Sequence, residues 1–103
     1  MELTGKDRRY LRGLGNPLKP VVWIGREGIT PGVLRSIDEA HLGAELIKVK
    51  MLDPGEHDRK AVAAELAEKS PSHFVGMVGG TILLFRRHPE KPRISLPSES
   101  DAD

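Results

Sequence analysis

The tightest constraint on how this chain folds lies between Val21 and Pro31, where a strand-like apolar run meets a glycine-bracketed loop and then a helix start. Val21-Val22-Trp23-Ile24 is the β-branched and aromatic composition of a strand. Thr30 is a good N-cap, and Pro31 suits the first helical position because its missing N–H would go unpaired there anyway. A strand delivered straight into a helix implies layered α/β architecture. Glycines at positions 25 and 28 allow positive φ and close approach of another backbone. Arg26 places a permanently charged guanidinium in the loop, and the first amides of the next helix favour an anion. The assembly is suited to a phosphate backbone, with RNA as the expected ligand.

The rest of the chain supplies the partners for that unit. Leu3 to Asp7 opens a first helix, with Thr4 as N-cap and Asp7 in the first turn. Tyr10, Leu11 and Leu14 form its expected apolar stripe, and Gly13, Gly15, Asn16 and Pro17 end it. Strand one, Val21–Ile24, is apolar at every position, which predicts a central strand with Trp23 packed in the core. Helix two spans Pro31–Leu42 and turns Val33, Leu34, Ile37 and Ala40 inward. Strand two, Glu45–Met51, alternates, with Ile47, Val49 and Met51 on one face and Lys48 and Lys50 on the other. Asp53-Pro54-Gly55 reads as a turn. Helix three covers His57–Lys69, anchored by Val62 and Leu66. His73–Val78 and Thr81–Arg87 flank Gly79-Gly80, the signature of a two-residue hairpin.

The order is therefore α-β-α-β-α-β-β. Right-handed crossovers make strands one to three parallel, with strand four antiparallel. The expected fold is one compact α/β domain over residues 1–97, a mixed four-stranded sheet packed with three helices. Residues 98–103 are expected to be a disordered acidic tail.

Charge is unevenly placed. Residues 1–50 carry nine Lys and Arg against six acids, whereas residues 51–103 carry seven against nine, three of them in the last five positions. The net charge of +1 thus hides a basic first half. There is no cysteine, which removes disulfides and thiolate metal sites. Met1–Arg12 lacks the apolar segment of a signal peptide, and no apolar run reaches the ~18–20 residues of a membrane span. A cytoplasmic protein with no membrane association is expected.

Enzyme signatures are missing. The chain has no Gly-x-x-x-x-Gly-Lys-Ser/Thr loop, no third glycine after Gly13-x-Gly15 at dinucleotide spacing, and no Gly-x-Ser-x-Gly elbow. His41, His57, His73 and His88 are scattered, with no helical pair at metal-ligand spacing. No catalytic residue, metal, cofactor or small-molecule substrate is expected. Lys6, Arg8, Arg9 and Arg12 on helix one, Lys19 before strand one, Arg26 in the loop, and Lys48 and Lys50 on strand two are the candidate RNA-binding cations, if the fold unites them. Tyr10, beside the basic face of helix one, is the candidate for base stacking. An alternative is a protein-binding module whose basic surface meets an acidic or ribosomal protein.

Five segments together carry a resemblance: Leu-Lys-Pro-Val-Val at 18–22, Gly-Arg-Glu-Gly-Ile-Thr-Pro-Gly-Val-Leu at 25–34, Glu-Leu-Ile-Lys-Val-Lys at 45–50, the Gly79-Gly80 hairpin, and Arg-Ile-Ser-Leu-Pro at 93–97. They resemble the CRM domain (chloroplast RNA splicing and ribosome maturation) in its stand-alone bacterial YhbY-like form, over residues 1 to about 97. The resemblance implies a domain similar in shape to the C-terminal domain of translation initiation factor three. It also implies RNA binding, to rRNA in precursors of the large (50S) ribosomal subunit, through Gly25, Arg26, Glu27 and Gly28 and the neighbouring bases. Glu27 stands at a variable position of that loop. The loop is similar in chemistry to the Gly-x-x-Gly clamp of KH domains, although here a strand leads into it.

Overall fold

The computed structural model describes residues 2–52 and 58–100. The Asp53-Pro54-Gly55 turn, the His57 start of helix three and residues 101–103 lie outside the described residues. The elements are α1 (Gly5–Gly15), β1 (Pro20–Ile24), α2 (Pro31–Gly43), β2 (Leu46–Met51), α3 (Arg59–Lys69), β3 (His73–Val78), β4 (Thr81–Phe85) and a short α4 (Pro97–Ser100). Each long helix starts at a polar cap. Thr4 accepts the Asp7 N–H while the Asp7 carboxylate accepts the Thr4 N–H, Thr30 accepts the Val33 N–H, and Asp58 accepts from Lys60 and Ala61.

The sheet runs β1-β2-β4-β3. β1 and β2 are parallel, and β4 is antiparallel to both β2 and β3. The first three strands therefore share a direction, as expected, with β4 inserted between β2 and β3. Strand alternation sends one set of side chains to each face. On one face Val22, Ile24, Ile47, Val49, Met51, Ile82 and Leu84 pack with Ile37 of α2 and Ala63 and Leu66 of α3. On the other, Leu46, Val75, Leu83 and Phe85 meet Leu3, Leu11 and Leu96. The result is a sheet with α2 and α3 on one face and α1 with the C-terminal segment on the other.

Four expectations need correction. β1 is an edge strand, and Val21 and Trp23 are 51% and 50% exposed. Only Val22 and Ile24 of that run enter the core, because α1 packs across β2 and β3 and leaves the β1 end of its face uncovered. Secondly, α1 buries Asp7, Leu11 and Gly15, not the Tyr10-Leu11-Leu14 stripe. It docks closely at Gly15, where a Cβ would lie 2.9 Å from Leu83, so the helix turns a small residue to the sheet. On α3 the fully buried anchors are Ala63 and Leu66, with Val62 partly buried beside them. Lastly, Ser98 and Glu99 are not detached. The Ser98 N–H and hydroxyl both donate to the buried Asp7 carboxylate, at 2.9 and 2.7 Å, and Arg87 pairs with Glu99.

Candidate nucleic-acid interface

The Gly25–Gly28 loop is a tight turn closed by the Gly28 N–H donating to the Gly25 carbonyl at 3.1 Å, with Arg26 and Glu27 at its two corners. Gly28 has φ +74, the left-handed region that favours glycine. A Cβ added at Gly25 or Gly28 would meet nothing within 4 Å. The glycines are therefore not demanded by packing against the rest of the protein, and the backbone on this side is open to a partner.

The start of α2 offers less than its sequence suggests. Pro31 has no N–H, the Val33 N–H is taken by the Thr30 hydroxyl at 3.1 Å, and the Leu34 N–H by the Thr30 carbonyl at 3.1 Å. An anion here would meet the Gly32 N–H rather than a full turn of amides.

The candidate cations are partly assembled. Trp23 lies beside Lys50 and Pro20 beside Lys48 in the β1–β2 register, and the loop starts one residue beyond the Ile24–Met51 pair. At ~3.3 Å per residue, Lys48 lies about 13 Å down the sheet from the loop. Lys48 is half-buried and donates to the Asn16 carbonyl at 3.4 Å, while Lys50 is exposed. Below them is a cleft of about 260 Å³ lined by Arg12, Asn16, Lys48, Met77, Thr81 and Leu83, among others. Arg12 lies against Gly76, and Arg8 one turn earlier donates to the Phe74 carbonyl at 3.4 Å, so both lean on β3. Among the described residues Arg8, Arg12, Lys48 and Lys50 form no ion pair, whereas Arg86 and Arg87 are bound to Asp38 and Glu99.

Thus Arg12, Lys48 and Lys50 share one sheet face that leads to the loop. Lys6 and Arg9 are exposed on α1, and Lys19 is exposed in the connection to β1. Tyr10 is 43% exposed on α1. Asn16 and Thr81 line the cleft unanticipated, since a search for charge passes over neutral hydrogen-bonding groups. The histidines form no metal cluster among the described residues. His41 is buried, with Nδ1 donating to the Ala44 carbonyl and Nε2 at 3.1 Å from Ser72 Oγ. Burial pushes it down to about 4, with Arg86 adding to the effect while the Ala44 bond and Asp38 oppose it. It is a neutral structural group.

Residues 3–86 match the CRS1 / YhbY (CRM) domain family. The chain belongs to the CRM family. A curated relative, "Probable RNA-binding protein YqeI" of Bacillus subtilis, is 38% identical over 92% of this chain and 99% of its own length. "Probable RNA-binding protein PA4753" of Pseudomonas aeruginosa is 36% identical over 97% of this chain and 95% of its own. The solution structure of the hypothetical protein SAV1595 from Staphylococcus aureus superposes with a TM-score of 0.81 at 38% identity, covering 93% of this chain and all of that one. In this CRM domain the family match ends at Arg86. The segment beyond is tied back by Glu45, whose carboxylate accepts the N–H groups of His88, Arg93 and Ile94 at 2.7–2.8 Å.

Proposed function

We propose that this CRM domain is a non-catalytic, cytoplasmic RNA-binding protein acting on rRNA in precursors of the large ribosomal subunit. The Gly25–Gly28 loop meets the phosphate backbone, and Arg26, Lys50, Lys48 and Arg12 neutralise the phosphates that follow. The observation that carries this reading is the alignment of an open turn, free of packing constraints at either glycine, with a row of cations on the adjoining sheet face. The RNA-binding names of the relatives point the same way. Phosphate contacts supply affinity and position, and the shape of a structured rRNA region supplies selectivity.

The test is crosslinking of the protein to RNA in cells, with sequencing of the attached RNA and sedimentation of extracts on a gradient. Recovery of large-subunit rRNA and RNase-sensitive co-sedimentation with the 50S precursor are expected. Association that survives RNase with no crosslinked RNA would favour a protein-binding module instead.

A further inference from the structure

We infer that Trp23 is a stacking platform for an unpaired RNA base, on the open half of the sheet between the Gly25–Gly28 loop and the cleft of Arg12 and Lys48. The inference rests on the RNA-binding reading above and assigns it a residue and a strandedness.

Trp23 is half exposed on a strand whose alternate residues, Val22 and Ile24, are buried. It shares the α1 face with Val21, also half exposed, because α1 stops short of β1. Half of this large aromatic surface faces water, where covering it with an apolar partner is favourable. What surrounds it selects the partner. Its register neighbour on β2 is Lys50, and the next β2 residue on that face is Lys48, beside Pro20. An apolar protein surface would have to strip water from both ammonium groups. A single-stranded nucleic acid satisfies both features together, with a base on the indole face and its phosphates on the lysines. A duplex keeps its bases stacked internally and offers the indole nothing. Trp23 also lies two residues before Gly25, so a strand held by its phosphates at the loop is led over the indole as it runs toward the cleft.

Trp23 is the only tryptophan in the chain, so its emission reports this position alone. The probes are an oligoadenylate of about 12 nucleotides and a duplex of the same length, within the usual size of a single-strand site. The oligoadenylate is expected to quench the emission saturably, and the duplex to leave it almost unchanged. Trp23→Leu should weaken oligoadenylate binding about ten-fold by filter binding, while Trp23→Phe, which keeps an aromatic face, should stay within about three-fold. Melting curves on the same samples establish that both variants fold, which half exposure at this position favours. If the wild type binds the oligoadenylate and Arg26→Ala weakens it, yet emission is unmoved and Trp23→Leu binds normally, the stacking inference falls and the RNA reading stands. Equal losses for Leu and Phe would also overturn it, since stacking predicts rescue by Phe. If the oligoadenylate does not bind the wild type at all, the stacking inference falls, whereas the RNA reading falls only if the crosslinking experiment also recovers no RNA.

Discussion

Arg26 and the two flanking glycines can be separated by substitution because the turn places different demands on each. Arg26 occupies an exposed corner, so Arg26→Ala should leave the melting midpoint nearly unchanged while weakening RNA binding about five- to ten-fold, the loss of one charge-assisted contact. Gly25→Ala meets open space and should fold normally, so a loss of affinity there would report backbone approach directly. Gly28→Ala forces a Cβ into φ +74 and should cost about 1–2 kcal/mol of stability besides any effect on binding. Filter binding and thermal melts of the three variants decide between these outcomes; unchanged affinity in all three would remove the loop from the interface. The loop and both threonine caps were legible in sequence because each is a local arrangement of a few residues. Trp23 was not. A four-residue apolar run looks the same whether one face or both are covered, and its cover depends on where α1 docks, which Gly15 and Leu83 decide.

At the scale of elements, the segment from Arg86 to Ser100 acts as a strap closed by two buried carboxylates, Glu45 and Asp7. In sequence Asp7 reads as a first-turn capping acid and Glu45 only as the start of strand two, because nothing local marks an acid that will collect backbone N–H groups from residues more than 40 positions away. Glu45→Ala strands three N–H donors and should cost about 3 kcal/mol, with Glu45→Gln less harmful because an amide oxygen still accepts. Ser98→Ala removes one of the two Ser98 bonds to Asp7 and should cost about 1 kcal/mol. Urea denaturation measures both, and a wild-type midpoint for Glu45→Ala would show that the strap contributes nothing. The cation row also belongs to this scale. Each phosphate neutralised contributes about −0.7 to the log–log salt slope on a single strand, so four to six contacts predict roughly −3 to −4. Substituting Arg12, Lys48 and Lys50 together with Gln should reduce the steepness by about two, similarly across RNA sequences. The same change at Lys6, Arg9 and Lys19, which do not line the cleft, should have a smaller effect. Equal slopes for the two triple variants would mean that RNA runs elsewhere.

For the whole molecule, element order, strand directions and a mixed four-stranded sheet packed with helices were readable from periodicity and turn residues. The position of β4 between β2 and β3 and the uncovered corner at β1 were not, since they arise from which surfaces bury most apolar area together. The buried polar groups that tie these layers together make stability depend on pH in one direction. In Asp7, burial raises the carboxyl, but the bonds from Ser98 and Thr4 outweigh it and bring it to about 2 from 3.8. Glu45 is likewise raised by burial and brought below its usual value by the N–H groups of His88, Ile94 and Arg93, with help from Arg87. His41 is lowered to about 4 from 6.5, chiefly by burial. All three folded-state values lie below the unfolded ones, so each contribution is complete above the unfolded pKa and is lost as pH falls toward the folded one. For His41 that window runs from 6.5 down to about 4, while the Asp7 window opens only below 3.8. Between pH 7.5 and 5 the histidine therefore dominates, and linkage predicts a loss of about 2 kcal/mol, with a smaller share from His73, which burial also lowers. Urea denaturation at both pH values should show this loss in the wild type. His41→Gln, whose amide can still donate to the Ala44 carbonyl, should be less stable at pH 7.5 but lose most of its pH dependence. A variant that kept the full wild-type slope would mean that His41 titrates normally in the folded protein, and that another group governs its response to acid.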